Sequence, residues 1–298
     1  MTAMIYPTTN PAAAEQMMVT RGEGPYIFDQ QGKRYLEGMA GLWCTALGYG
    51  NEEIIDVAQR QMRDLSFSHM FGGKTHAAAI ELADKLAAMV PMNDGRVFLG
   101  NSGSDANDTL MKLIRYHAEA SGQPNRIKVI AREQGYHGVT LASAALTAIP
   151  TNHTHFQLPF EALGVLRTGS ANYYRGGHDG ESESDFVARR AQELEALILA
   201  EGPDTIAAMI AEPVSGAGGV IVPPAGYFDA VQQVLDRYGI WLWDDEVICG
   251  FGRLGTDFGA TKMGMAPQMI TLAKALSSAY VPISAAIVQG DIADCIGA

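Results

Sequence analysis

The sequence predicts an α/β protein whose mainly parallel sheet is covered by helices on both faces. Short apolar runs of strand length alternate with longer segments in which apolar residues recur at helical spacing. The short runs are almost continuously apolar, as expected of strands that are buried on both faces. Polar and chemically reactive residues follow directly after several of these runs, where a parallel sheet places its ligand-binding loops.

The predicted elements follow one another in a regular order. Residues 1–50 are irregular apart from a hairpin whose strands are 24–29 and 33–36, and Asn51 is a candidate N-cap for the helix that follows. Four further helices alternate with six strands. Together with the helix that Asn51 would cap, the predicted helices are 51–66, 75–89, 105–120, 183–200 and 228–238. The predicted strands are 96–99, 127–131, 206–211, 240–243, 268–272 and 283–288.

Composition limits the classes of partner. The 298 residues are 47% hydrophobic and 18% charged, with a net charge of −12, so we expect neither nucleic acid nor an anionic membrane as a partner. The three cysteines are far apart and the seven histidines lack metal-ligand spacing, so we predict unpaired thiols and no metal site. No signal peptide and no apolar run of the roughly 20 residues that a membrane span needs is recognisable. We therefore expect a cytoplasmic protein.

The first two strand ends suggest binding of an anion and of a flat ring. Strand 96–99 runs into G-N-S-G-S-D-A-N (100–107), where Gly103, Ser104 and the free N–H groups of a first helical turn suit an anion. An ordinary helix cap is the alternative. Strand 127–131 leads to G-Y-H-G (135–138), in which Tyr136 can lie on a heterocycle with His137 nearby, or simply cover a turn.

Three further strand ends carry acids and an amine. Glu212 follows one strand, the run Asp244, Asp245 and Glu246 follows another, and Lys274 follows a third. Each has an ordinary alternative, a solvated loop or a lysine that extends to the surface. Five such ends in one chain outweigh those alternatives. A lysine that forms an imine and an acid that keeps a pyridine nitrogen protonated predict a pyridoxal 5′-phosphate site.

Two other motifs are interpreted as loops without a nucleotide. G-F-G-R-L-G (250–255) matches a dinucleotide pattern, but no helical periodicity follows it, so a turn-rich loop is predicted. S-H-M-F-G-G-K-T (68–75) approaches a phosphate-binding loop, but serine replaces its first glycine and a predicted helix precedes it.

The chain resembles the class III aminotransferases of pyridoxal phosphate fold type I, close to the ω-amino acid–pyruvate branch. The resemblance runs from about Tyr26 to Val288. It rests on E-G-M-A-G-L-W-C (37–44), N-S-G-S-D-A-N-D-T (101–109), Y-H-G-V-T (136–140), A-E-P-V-S-G-A-G-G-V-I-V-P-P (211–224), D-E-V-I-C-G-F-G-R (245–253) and T-L-A-K-A-L-S-S-A-Y (271–280).

The resemblance implies a role for each matching residue. Lys274 would form the internal aldimine and move the proton, and Asp245 would pair with the ring nitrogen. The remaining cofactor contacts would come from Gly103 and Ser104 on the phosphate, Tyr136 in front of the ring and Val247 behind it, with His137 and Glu212 in the adjoining polar network.

The resemblance also implies a substrate pocket and an assembly. Trp43 and Tyr136 would line the pocket, and Phe71 would reach it from a partner subunit of a homodimer or dimer of dimers. Ala217 stands where family members that use 2-oxoglutarate carry a glutamate five residues after Glu212, which favours pyruvate as the acceptor. Residues 1–50 would belong to the small domain and 51–298 to the cofactor-binding large domain.

The sequence departs from the family pattern in three places. Asp105 replaces the usual glutamate, and Asp244 stands where alanine is usual before D-E-V. Relatives continue beyond residue 298, so the C-terminal small domain is expected to be absent, with part of the substrate site. The predicted function is transfer of an amino group from an amine or ω-amino acid to a keto acid such as pyruvate. Aminomutase or racemase activity, and an inactive truncated homologue, remain alternatives.

Overall fold

The computed structural model describes residues 3–7, 10 and 16–296, and it forms two compact units. The first unit covers residues 1–67 and the second covers residues 68–298. The helix after Asn51 therefore groups with the first unit, whereas the sequence placed it in the large domain. Family domains and spatial units need not coincide, so the predicted boundary at residue 50 stays a prediction.

The first unit contains a small antiparallel sheet and two helical segments. The predicted hairpin is present, and one further strand pairs with it in the order β1-β2-β3. Asn51 caps the long helix, since its side chain accepts a hydrogen bond from the N–H of Ile54 at 3.2 Å. The elements are β1 Val19–Glu23, β2 Tyr26–Asp29, β3 Arg34–Leu36, α1 Ala40–Trp43 and α2 Glu52–Asp64.

The second unit is built on a sheet to which the described residues contribute seven strands. The strands are β4 Arg96–Gly100, β5 Lys128–Arg132, β6 Val165–Thr168, β7 Ile206–Ala211, β8 Trp241–Asp245, β9 Met269–Leu272 and β10 Ser284–Val288. Their order is β4-β10-β9-β8-β7-β5-β6. β10 runs antiparallel to β4 and β9, and every other neighbouring pair is parallel. The carboxyl ends of β4, β5, β7, β8 and β9 therefore face one edge of the sheet.

Helices cover both faces of this sheet. They are α3 Ala77–Met89, α4 Gly103–Ala120, α5 Leu141–Leu146, α6 Phe160–Leu163, α7 Tyr173–Gly176, α8 Glu183–Glu201, α9 Tyr227–Arg237, α10 Gly259–Met263 and α11 Gly290–Ala293. On β7, Met209 packs in the cluster that contains α8 and α9, whereas Ile210 packs in the cluster that contains α4. This alternation follows from the two-residue period of a strand. The predicted mainly parallel sheet between two helical layers is confirmed.

The predicted helices and strands are present, and their ends lie within two residues of the predicted ones. The turn-rich interpretation of residues 250–255 is also confirmed, because hydrogen-bonded turns and bends follow β8 without a helix. The sequence missed β1, β6 and the short helices α1, α5, α6, α7, α10 and α11. None of the helices in the described part of the chain is both long enough and apolar enough to span a membrane.

Candidate active site

The strand register brings the predicted lysine and acid to neighbouring strand ends. β8 and β9 are parallel, and Asp245 is paired with Thr271. Lys274 comes three residues after Thr271 in a 3₁₀ turn that begins where β9 has ended. Asp245 is 2% exposed and Lys274 is half-buried. The two functional groups thus belong to adjacent strands at the edge where parallel sheets bind their ligands.

The start of α4 presents two unused N–H groups to this edge. Ser102 accepts a hydrogen bond from the N–H of Asp105 at 3.2 Å, and the Asp105 carboxylate accepts from the N–H groups of Asn101 and Ser102 at 2.9 and 3.1 Å. This reciprocal cap satisfies its own donors. The N–H groups of Gly103 and Ser104 have no acceptor among the described residues. Asp105 in place of the usual glutamate therefore leaves the cap intact.

Gly103 is a point of close approach. A Cβ atom added there would lie 2.9 Å from Cγ2 of Val247 and 3.6 Å from Cβ of Ala273. Gly103 is thus next to the residue before Lys274 and to the residue two positions after Asp245. Only a glycine lets these three strand ends approach so closely.

The loop after β5 packs against the same helix start. Ser104 Oγ accepts a hydrogen bond from the N–H of Val139 at 3.1 Å, which leaves the hydroxyl proton free to donate. Gly138 has a φ of +132°, and a Cβ atom there would lie 2.4 Å from Ser104 Oγ. The loop that carries Tyr136 and His137 is therefore held against the first turn of α4.

Asp245 receives three hydrogen-bond donors. Its Oδ2 atom is 2.8 Å from Nδ1 of His137 and accepts from Nδ2 of Asn107 at 3.3 Å. Its Oδ1 atom accepts from the N–H of Val247 at 3.1 Å. Donors of this kind stabilise the ionised carboxylate even where water is excluded.

Glu212 fixes the loop that carries Tyr136. The Glu212 carboxyl is 2% exposed and accepts from the N–H of Tyr136 at 3.0 Å and the N–H of Gly216 at 2.8 Å. Burial raises the pKa of Glu212, and the charge of Asp245 raises it further. Burial also raises the pKa of the Tyr136 phenol, as does the charge of Asp245, so the phenol stands within the electrostatic range of that carboxylate. Tyr136 stays a neutral ring.

Lys274 has a strained backbone and a free amine. Its φ is +48°, a conformation that costs a non-glycine residue of order 1–3 kcal/mol and that is concentrated at functional sites. Nζ has neither a hydrogen-bond partner nor an ion pair among the described residues. The amine is therefore available to a ligand.

The acidic run at the end of β8 is divided between two environments. Asp244 and Glu246 are buried on the side away from Asp245. Both oxygens of Asp244 and Oε2 of Glu246 lack a donor among the described residues. Burial raises the pKa of Asp244 well above its ordinary value, and the charge of Glu246 raises it further. The pKa of Glu246 is likewise raised by burial. If one of the two carboxyls is protonated, its O–H group can donate to the other.

Sequence reasoning missed three residues of the buried network, Asn107, Thr271 and Trp243. All three side chains are fully buried. A signal was available for each: Asn107 is a polar residue on the apolar stripe of α4, Thr271 interrupts an apolar strand, and a buried tryptophan needs an acceptor for its N–H. The residues that had been identified from the sequence lie on the strand ends and loops at one edge of the sheet. They are Gly103, Ser104, Tyr136, His137, Glu212, Asp245, Val247 and Lys274.

Two further residues, Trp43 and Phe71, were predicted to contact the substrate. Trp43 is half-buried in the first unit, in the turn α1, where four consecutive residues have positive φ. Phe71 lies in the second unit between Phe67 and α3 and is 81% exposed. Their contacts with a substrate stay predictions.

Comparison with known proteins identifies the family. The sequence model of the class III aminotransferases matches residues 9–298, so the chain belongs to that family. It is 48% identical over 283 residues to a probable gamma-aminobutyrate transaminase 2, mitochondrial, of Oryza sativa subsp. indica, covering 95% of this chain and 56% of that protein. It is 46% identical to vanillin aminotransferase of Capsicum annuum, covering 95% of this chain and 61% of that protein.

A solved structure matches as well. The omega transaminase of Pseudomonas jessenii in complex with PMP superimposes with a TM-score of 0.96 at 47% identity, over 98% of this chain and 65% of that chain. The sheet and its helical layers are those of pyridoxal phosphate fold type I. This chain spans a little more than half of the length of the rice relative.

Proposed function

We propose that the protein is a pyridoxal 5′-phosphate-dependent transaminase that moves an amino group from an amine or ω-amino acid to a keto acid such as pyruvate. One observation carries the proposal. A half-buried lysine without a partner, a carboxylate that receives three donors and a helix start with two free N–H groups belong to neighbouring strand ends.

The residues of this chain fit the cofactor. When bound, pyridoxal 5′-phosphate supplies an aldehyde for a primary amine and a protonated ring that withdraws electrons. The N–H groups of Gly103 and Ser104, with the free hydroxyl proton of Ser104, would bind the phosphate at the positive end of α4. Asp245, whose carboxylate accepts from three donors, would hold a proton on the ring nitrogen.

The other residues would orient the ring and move protons. Glu212 holds the backbone of Tyr136, so that the phenol ring can cover one face of the cofactor while Val247 covers the other. Lys274 Nζ would hold the cofactor through its aldehyde, with loss of water. The same Nζ atom, when it is a free amine, would move a proton from one position of the bound substrate to another.

The nature of the two substrates is also part of the proposal. The relatives' names include a gamma-aminobutyrate transaminase and a vanillin aminotransferase, so the substrates named for the relatives differ. Ala217 in place of a glutamate supports pyruvate over 2-oxoglutarate as the acceptor. Comparing the two keto acids at equal concentration, with one amine donor, tests this choice. Faster turnover with 2-oxoglutarate would overturn it.

A homodimer or dimer of dimers is proposed as the assembly. Large apolar side chains of the second unit are exposed, among them Phe71, Phe98 and Val139 at 81%, 57% and 74%. Burial of such side chains commonly drives association. Sedimentation velocity measures the mass directly, and a monomer would contradict the proposal. The cytoplasmic location predicted from composition also stays a proposal, and the rice relative is named as mitochondrial.

Chemical trapping tests the cofactor site. Borohydride reduction in the presence of pyridoxal 5′-phosphate, followed by peptide mapping, should place a stable adduct on Lys274. Lys274→Ala should abolish the adduct and lower amine transfer to pyruvate by at least about 10³-fold. Lys262→Ala, at an exposed lysine of α10, is the matched control and should retain both properties. An adduct on another lysine, or turnover by Lys274→Ala, would contradict the proposal.

A further inference from the structure

A chain of buried hydrogen bonds leads from the middle of β8 to Asp245. Nε1 of Trp243 donates to Oγ1 of Thr271 at 2.8 Å, and Oγ1 of Thr271 donates to Oδ1 of Asn107 at 2.6 Å. Nδ2 of Asn107 then donates to Oδ2 of Asp245 at 3.3 Å and to the carbonyl oxygen of His137 at 2.6 Å. None of these side chains is more than 3% exposed. Water is therefore excluded as an alternative partner.

The chemistry of the groups gives this chain one direction. An indole N–H can only donate, so it occupies a lone pair of the Thr271 hydroxyl and the hydroxyl proton is directed to Asn107. The amide of Asn107 must then face Thr271 with its oxygen and Asp245 with its nitrogen. The other end makes the same demand, because a carboxylate and the His137 carbonyl are both acceptors. Both ends therefore fix one orientation of the amide.

The location of Asn107 makes this orientation consequential. Asn107 lies on α4, one turn beyond Gly103 and Ser104, and it reaches both Asp245 on β8 and the backbone of the loop that carries Tyr136. A single side chain thus connects the helix that would hold the phosphate to the acid and the loop that would hold the ring.

We propose that Asn107 is a positioning residue of the transaminase reaction: its amide, held in one orientation by Thr271 and Trp243, donates to Asp245 and keeps that carboxylate ionised and aimed at the cofactor ring. The inference rests on the proposed function, since it concerns how Asp245 would hold the ring-nitrogen proton. A donor lost from Asp245 would leave that proton nearer the carboxylate, and the ring would withdraw electrons less strongly.

Asn107→Asp is the sharpest test because it preserves shape. The new carboxylate can still accept from Thr271, but it places an acceptor with a negative charge against Asp245. We expect kcat for amine transfer to fall by about 10- to 100-fold with a smaller change in KM, as expected for loss of a hydrogen bond to a charged group. The visible absorbance of bound pyridoxal 5′-phosphate should also titrate at a shifted pH.

Two milder variants and a control test the other hydrogen bonds that lead to Asn107. Thr271→Val removes the hydroxyl, and Trp243→Phe removes the indole N–H together with part of the ring but leaves the Thr271 hydroxyl in place, so the shift in the absorbance titration should decrease in that order. Trp241→Phe removes an equivalent N–H from the same strand, where the ring contacts His117 instead of Thr271. This control should titrate like the wild type. His137, Tyr136 and Glu212 also face Asp245, and none of them changes in these variants.

The outcomes separate this inference from the proposed function. If the wild type binds pyridoxal 5′-phosphate but Asn107→Asp and Thr271→Val titrate like it, Asn107 has only a structural role and the inference is wrong. A fall in thermal stability without a spectral shift leads to the same conclusion. If Asn107→Asp does not fold, the decision rests on Thr271→Val. Failure of the wild type to bind the cofactor would instead overturn the proposed function itself.

Discussion

The end of β8 carries two adjacent aspartates with opposite surroundings. Asp245 and Asp244 are 2% and 0% exposed, so burial does not distinguish them. Asp245 accepts from His137, Asn107 and a backbone N–H, whereas neither oxygen of Asp244 receives a hydrogen bond from the described residues. Because successive side chains of a strand point to opposite faces, neighbours in sequence are placed in different environments.

The two aspartates differ in their hydrogen-bond donors, and such donors stabilise the ionised form of a buried carboxyl. Burial alone favours the protonated form, and Asp244 follows that rule. Donors that stabilise the anion oppose it at Asp245. The acid that stands where relatives usually have alanine is therefore kept away from the candidate site by the strand's own geometry, and we expect its effect to be on stability.

The largest expected effect separates the two aspartates by activity. Asp245→Asn should lower amine transfer to pyruvate by about 10³-fold, because a neutral amide cannot hold the ring nitrogen protonated. Asp244→Asn, one residue away, is the matched control and should retain transfer rates close to those of the wild type. Steady-state kinetics of both variants check the prediction. Equal losses would break the comparison.

The second prediction concerns the dependence of stability on pH. Between the ordinary Asp value of 3.8 and the raised pKa of folded Asp244, the folded protein holds a proton that the unfolded chain has released. Unfolding then releases a proton, so the free energy of unfolding should fall as pH rises through this window, by about 1.4 kcal/mol per pH unit for one group. Asp244→Asn should remove the contribution of this group and make the decline less steep.

Urea unfolding at several pH values measures this slope. Asp84→Asn, at an exposed position within α3, removes the same charge without a buried partner and should keep the wild-type slope. An unchanged slope in Asp244→Asn would show that the Asp244 carboxyl is ionised in the folded protein, and would contradict the prediction.

The smallest expected effect concerns the space beside Asp245. Gly103→Ala would bring a Cβ atom to 2.9 Å from Cγ2 of Val247, so that helix and strand end must separate slightly. We expect the affinity for pyridoxal 5′-phosphate to fall about tenfold, within the range of small overpacking costs. Equilibrium dialysis measures it. In the absence of the cofactor, the double variant Gly103→Ala with Val247→Ala should be more stable than Gly103→Ala alone, because the contact with Cγ2 is removed. If it is not, the lower affinity of Gly103→Ala has another cause than this contact.

The sequence was sufficient to predict the fold class and the approximate ends of most strands. Continuous apolar runs such as I-A-A-M-I-A (206–211) have few alternatives to a buried parallel strand, so β7 was predicted at its observed bounds. β6 was missed because V-L-R-T (165–168) is short and carries Arg167. That side chain donates to the carbonyl oxygens of Leu146 and Thr147 at 2.8 Å, a contact that no local pattern reveals.

Many residues of the candidate site could be predicted from the sequence, but their hydrogen-bond partners could not. Lys274 and Asp245 were indicated by their positions after apolar runs. The partners of Asp245 were not, because Asn107 is 138 residues away in sequence and reaches it only once α4 packs on the sheet. Long-range hydrogen bonds of this kind depend on the register of whole elements, which short sequence windows do not encode.

The protonation state of the bound ring nitrogen tests the central claim most directly. Nitrogen-15 NMR of the protein loaded with pyridoxal 5′-phosphate labelled at that atom should report a protonated nitrogen in the wild type and in Asp244→Asn, and an unprotonated one in Asp245→Asn. A nitrogen that is unprotonated in the wild type, or that stays protonated in Asp245→Asn, would contradict the account.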